Sequence, residues 1–205
     1  MKKIEFFFDC SSPWTYLAFH KIQNIIKETE ADIDWRPILV GGVFNEVNQD
    51  VYNNRLSPNP LKFKYSRKDL QDWANFYQIS IKWPAIFPLN AVNAMRSIIV
   101  AGSFDKLIPF SFLCFESYWS KGIDISDLDI LTEMADSIGI DKEKFKEKVI
   151  HKDTKDQLRS NTDELISRGG FGSPTIFIDT EDMYFGNDRM VLVREKILEE
   201  NNENK

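Results

Sequence analysis

The stretch FFFDCSSPWTYLAF, residues 6–19, decides the fold. Its first residues, with Ile4 and Glu5 ahead of them, are apolar except for Glu5, as expected of a central strand buried on both faces. A short polar turn follows. Ser11 or Ser12 then caps a helix, and Pro13 suits the first helical position. Trp14, Leu17, Ala18, Ile22, Ile25 and Ile26 recur at helical spacing, while Thr15, Lys21, Asn24 and Lys27 take other faces. Residues 32–37, DIDWRP, alternate and read as a second strand. Strand, helix, strand makes a right-handed crossover unit. The turn inside it offers a thiol, Cys10, a hydroxyl, Ser12, or a plain helix cap.

The chain changes character on either side of this unit. Residues 45–60 are rich in Asn and Pro and read as a polar loop. From residue 61 to about 168 the pattern is helical, broken at SIKWPAIFPL, residues 80–89. FSFLCFESYW, residues 110–119, is apolar or aromatic almost all round and is expected to be buried. Ser126 and Asp129 pair as a capping box for a helix that ends at Gly139. Strands return with PTIFI, residues 174–178, and MYF, residues 183–185, as an antiparallel hairpin. A last amphipathic helix follows, capped by Asn187 or Asp188. The order βαβ, helical block, ββα gives an α/β fold with a helical insertion. Residues 1–60 and 169–205 would form one discontinuous domain and residues 61–168 the inserted one.

Composition narrows the function classes. Across 205 residues, 42% are hydrophobic and 28% charged, typical of a globular protein with a sizeable core. The net charge of −6 argues against nucleic acid as main partner, since phosphate binding needs a clustered positive field. Two cysteines without a C-x-x-C, and two histidines far apart, exclude a disulfide framework and make a metal centre an unfavoured reading. Glu5 and Asp9 interrupt the first apolar run, and no apolar stretch approaches the roughly 20 residues that span a bilayer. The final NNENK matches no simple address. Cytoplasm is the expected compartment.

SPWT, residues 12–15, sits where thioredoxin-like oxidoreductases place C-x-x-C, and GSPT, residues 172–175, where that fold places a cis-proline loop. Together with LVGGVF, FPLNAVNAMR, YWSKGIDISD, GGFGSPT and FGNDR, the chain resembles the 2-hydroxychromene-2-carboxylate isomerase and kappa-class glutathione transferase family, within the DsbA-like group. The resemblance runs in the same order over nearly the whole chain. It implies a thioredoxin fold with an inserted all-helical domain, glutathione as cofactor, and a homodimer through the helical layer. It also implies a glutathione-dependent cis–trans isomerase acting on a small aromatic or unsaturated carboxylic acid, in the catabolism of aromatic compounds. The alternatives are a kappa-like transferase that conjugates electrophiles, and a glutathione-binding protein without chemistry. The missing C-x-x-C disfavours disulfide oxidoreduction.

The same resemblance assigns residues. Ser12 takes the family's Ser-Pro position, where its hydroxyl and the helix N-terminus would hold a glutathione thiolate. A cap alone would also account for Ser12. Cys10 and Cys114 are expected to be buried, inert thiols. Ser173, before a cis Pro174, would present its backbone to the cysteinyl part of glutathione as an added strand does. The family has Val or Leu where Ser173 stands. Asn187 and Asp188 would hold the γ-glutamyl end, Lys62 the glycyl carboxylate, with Lys64 a competitor, and Asn48 matches the family's asparagine. Trp14, Phe44, Trp83 and Phe87 would wall an apolar acceptor pocket, with Asn90 orienting a polar group; aromatics of this kind also serve as core. His20 and His151 are read as bystanders.

Overall fold

The computed structural model describes residues 3–203, with side chains described through residue 199. Of the NNENK read above for an address, residues 204–205 lie outside the described residues and of 201–203 only the backbone is described. The first apolar run forms β1 (Lys3–Phe8), and DIDWRP forms β2 (Asp32–Pro37), parallel to it. β3 (Thr175–Ile178) pairs antiparallel with β1, and β4 (Asp182–Phe185) pairs antiparallel with β3. The four-stranded sheet therefore runs β2-β1-β3-β4, with β1 at its interior as its composition requires. Chain segments more than 160 residues apart meet here, since Ile4 stands opposite Ile178.

Alternation along β1 divides its side chains between two faces. Ile4, Phe6 and Phe8 point to the larger core, where Phe19 of α1 (Pro13–Thr29) lies 5.4 Å from Phe8 and 6.2 Å from Phe6. Phe7 points the other way, to a smaller cluster with Ile38, Val43, Leu165 and Phe177. Val43 comes from α2 (Val40–Val47) and Leu165 from α9 (Lys152–Ser167), which packs along α2 and β2. Glu5 shares this second face and is 5% exposed. The Arg168 guanidinium meets it at 2.7 Å and lies over the Phe177 ring at 3.8 Å.

Residues 45–60 are not a loop. They finish α2 and form α3 (Asp50–Leu56), followed by α4 (Pro60–Phe76) with Asn59 as its cap. Asn and Pro here mark helix boundaries more than irregular chain. Tyr52 ties α3 down: its hydroxyl donates to Asn45 Oδ1 at 2.8 Å and its ring meets Phe44 at 6.3 Å. The proline-broken segment contains a cis peptide at Phe87–Pro88. Beyond it come α5 (Val92–Gly102), α6 (Leu107–Trp119), α7 (Leu128–Ser137) and α8 (Lys142–Ile150). The buried character expected of residues 110–119 holds, with Phe110, Cys114, Phe115 and Trp119 all inaccessible. The cap of α7 is Asp127, accepting from Asp129 N–H, and not Ser126.

His20, on α1, packs edge-on between Tyr16 and Phe112, and its Nε2 has no partner among the described residues. Burial lowers its pKa from the ordinary 6.5, against a smaller upward pull from Glu116. Below about pH 6.5 the unfolded chain therefore takes up a proton that the folded chain resists. Stability is complete above that pH and drains as pH falls toward the folded value. His20→Gln removes this loss. Urea midpoints of both proteins at pH 8 and pH 5.5 check it: the wild type should fall relative to the variant at the lower pH, and parallel behaviour would rule the idea out.

Candidate active site

The end of β1 and the start of α1 build the centre of the site. Asp9 is fully buried, and each carboxylate oxygen accepts one backbone N–H: Ser11 at 2.8 Å and Val40 at 2.8 Å. Burial raises its pKa from 3.8, opposed by those hydrogen bonds. Asp9 thus ties the turn ahead of α1 to the start of α2. Cys10 is also fully buried, its N–H on Met95 Sδ at 3.3 Å and its carbonyl held by the Trp119 indole at 2.9 Å. Burial pushes the Cys10 thiol well above its ordinary range, so it is no nucleophile. Cys114 is buried in α6 and raised by the same cause.

Ser12 is the cap of α1. Its extended backbone (φ −100°, ψ 123°) lets Oγ accept the Thr15 N–H at 3.2 Å. The Ser12 hydroxyl donates to the Ser173 carbonyl at 3.3 Å, a long bond that is cheaply exchanged for a better acceptor. No acidic side chain occupies the first turn of α1, so its positive pole is not neutralised from within the helix. Ser173 precedes a cis peptide to Pro174, as expected. Its own hydroxyl is buried, accepting the Asp9 N–H at 2.9 Å and meeting Thr15 Oγ1 at 2.7 Å. That pairing accounts for a serine where an apolar residue was expected. It also places Thr15 inside, although the helical pattern put it on another face.

Two cavities flank this turn. The first, about 320 Å³, is bounded by Ser11, Asp9, Leu39, Phe44, Phe87, Leu89 and Asn90, with Tyr52 and Arg55 of α3 at its edge. The second, about 650 Å³, is bounded by Trp14, Tyr65, Asp69, Trp73, Ser173, Phe185 and the segment from Gly186 to Arg189. Ser12 is in neither lining; it follows Ser11 of the first cavity directly and is hydrogen-bonded to Ser173 of the second, which makes it the ridge between them. Gly186 adopts φ +101°, which only glycine takes readily, and so delivers Asn187 inward. Asn187 is 2% exposed, and neither its Oδ1 nor its Nδ2 has a partner among the described residues. Its side chain does not cap the last helix, since both its polar atoms are unpaired; a 3₁₀ turn (Asn187–Arg189) leads into α10 (Met190–Glu203). Asp188 is exposed and pairs with Arg189 at 2.6 Å.

The remaining expected site residues divide. Trp14 joins Ser173, Asn187 and Asp188 on the second cavity, and Phe44, Phe87 and Asn90 share the first. Trp83 lines neither; it meets Phe87 at 4.8 Å with the two rings tilted by 57°, and lies beneath the Arg67 guanidinium. Lys62 is exposed and outside both linings, one helical turn before Tyr65. Asn48 Nδ2 donates to the Phe171 carbonyl at 3.1 Å, tying α2 to the loop before Pro174. Sequence reading missed Asp9, Thr15, Arg55 and Asp69. The position of Asp9 directly after a buried strand was the one available signal.

A family model, the DSBA-like thioredoxin domain, matches residues 3–198. The chain belongs to the DSBA-like thioredoxin family. Within it, the chain is 28% identical over 204 residues to a 2-hydroxychromene-2-carboxylate isomerase of Sphingobium xenophagum, covering 97% of this chain and 99% of that one. It is 25% identical to human glutathione S-transferase kappa 1, covering 94% and 89%. A solved 2-hydroxychromene-2-carboxylate isomerase superposes with a TM-score of 0.83 at 22% identity, over 98% of this chain and 97% of that one. The DSBA-like family assignment confirms the thioredoxin fold with helices inserted in it, and these relatives place the chain among enzymes. No helix among the described residues is long and apolar enough to cross a membrane.

Proposed function

We propose that the protein is a glutathione-dependent cis–trans isomerase of the 2-hydroxychromene-2-carboxylate isomerase type. The observation that carries the reading is Asn187. A buried amide with both polar atoms unpaired costs free energy, and a ligand with matching groups relieves it. The unpaired Asn187 amide and the exposed Asp188 carboxylate suit the carboxylate and ammonium of a γ-glutamyl group. Ser173 follows in the same cavity to take the cysteinyl backbone. The sulfur then reaches the ridge, where the Ser12 hydroxyl and the α1 N-terminus favour its thiolate.

That thiolate adds to an electron-poor carbon of an unsaturated acid lying in the first cavity. The former double bond becomes single and rotates. Elimination restores the double bond in the other geometry and returns the thiolate unchanged. A kappa-like transferase would share the addition and keep the sulfur attached; the 25% identity to the human transferase supports this second reading. Cytoplasmic placement, a homodimer and a role in aromatic catabolism belong to the same proposal.

Two measurements test it. Turnover of a benzylidenepyruvate should require glutathione and leave glutathione unconsumed; consumption would favour the transferase, and no dependence on glutathione would end both readings. Asn187→Leu, close in volume, should hold or raise the unfolding temperature of the free protein while weakening glutathione on the order of tenfold by calorimetry. A variant that loses stability and binds glutathione normally would remove Asn187 from the site.

A further inference from the structure

Arg55 is the one cation on the lining of the first cavity. Its guanidinium carbon lies 5.6 Å from the centre of the Phe44 ring and 5.3 Å from that of Phe87. Two aromatic faces thus lie within cation–π reach of the group, and among the described residues no hydrogen bond takes up its N–H groups. Among the described residues no carboxylate pairs with it, although acidic side chains outnumber basic ones in the chain, 32 to 26. The single acid on the same lining is Asp9, and its two oxygens already accept Ser11 and Val40 N–H groups. Asp9 is fully buried at the floor, whereas Arg55 is exposed at the rim. Between them the walls are mainly apolar: Leu39, Val40, Phe87 and Leu89.

We infer that Arg55 is the specificity-determining residue of the acceptor pocket, binding the carboxylate of an unsaturated aromatic acid. The inference rests on the functional reading above and adds to it the group that selects acids. Charge fixes the orientation of the bound molecule. The carboxylate is drawn to Arg55 at the rim and repelled by Asp9 at the floor. The apolar body therefore points inward, toward the α1 turn and Ser12. A planar carboxylate matches the guanidinium edge in two parallel hydrogen bonds, which a lysine cannot reproduce. Arg55 acts on binding and orientation, with no proton or bond of its own to exchange.

A carboxylate at Arg55 has a second possible source, the glycyl end of glutathione, because Lys62 lines neither cavity. Titrations of tryptophan emission separate the two. Cinnamate and its methyl ester serve as acceptor probes, each with and without glutathione. The wild type should bind the acid about tenfold more tightly than the ester, Arg55→Gln should abolish that preference, and Arg55→Lys should restore only part of it. An acid-to-ester ratio that is near one in the wild type, or unchanged in Arg55→Gln, overturns the inference. So does a loss of glutathione affinity in Arg55→Gln with the ratio intact, which would hand Arg55 to the glycyl carboxylate. Absence of any glutathione binding in the wild type would overturn the proposed function instead, and the ratio measured without glutathione would still decide the role of Arg55.

Discussion

Arg168→Leu is expected to destabilise the fold by about 3–5 kcal/mol. Glu5 sits on an interior strand, with Asp34 and Phe177 beside it in register. It is 5% exposed, and Arg168 Nη2 meets its Oε2 at 2.7 Å. The same guanidinium donates to the Thr180 carbonyl at 2.8 Å and to Glu164 at 3.0 Å. Taking it away strands a carboxylate against Phe7 and Phe177. That residual charge, more than the lost attraction, sets the size of the effect. Glu5→Leu combined with Arg168→Leu should therefore recover most of the loss, since a matched apolar pair carries no buried charge. Urea unfolding of the three variants gives the numbers. A single-variant loss below about 1 kcal/mol would place Glu5 in effective contact with water.

Ser12→Ala should lower kcat/KM with an unsaturated acid on the order of 10²- to 10³-fold, the scale of removing one aimed donor from a developing anion. The physical readout is the thiolate absorbance of bound glutathione. On the proposed function its midpoint is expected below the ordinary thiol value near 8.5 in the wild type, and should move up in the variant. The substitution also removes the α1 cap, worth about 1 kcal/mol, so a stability loss by itself decides nothing. Ser12→Thr keeps both cap and hydroxyl and should titrate close to wild type. If Ser12→Ala leaves the midpoint where it was, the serine is a cap and the thiolate is stabilised elsewhere.

The ends of the chain were more legible than its middle. Strand composition and the Ser-Pro start of α1 revealed βαβ, and the hairpin followed from its turn. The segment at residues 45–60 misled because its Asn and Pro residues signal loop by local propensity. Contacts made by Tyr52 with residues of α2 override that preference. Arg55 was invisible for the same reason: an arginine in a presumed loop carries no sign of the two rings it will meet. Thr15 escaped because its partner, Ser173, lies 158 residues away. Trp83 reads as a pocket wall together with Phe87, yet it lines neither cavity and packs at a tilt against that ring.

The buried carboxylate of Asp9 has a thermodynamic consequence. It bonds the backbone of the turn that leads into α1 with one oxygen and the start of α2 with the other. That turn gives Ser11 to the first cavity, α1 behind it gives Trp14 to the second, and α2 carries Phe44. A shift in either helix is thus felt through one shared joint. Any tightening that a guest in one cavity brings to a guest in the other must be returned in equal measure. Order of filling can then change the rate of turnover, while the free energy that couples the two guests has a single value.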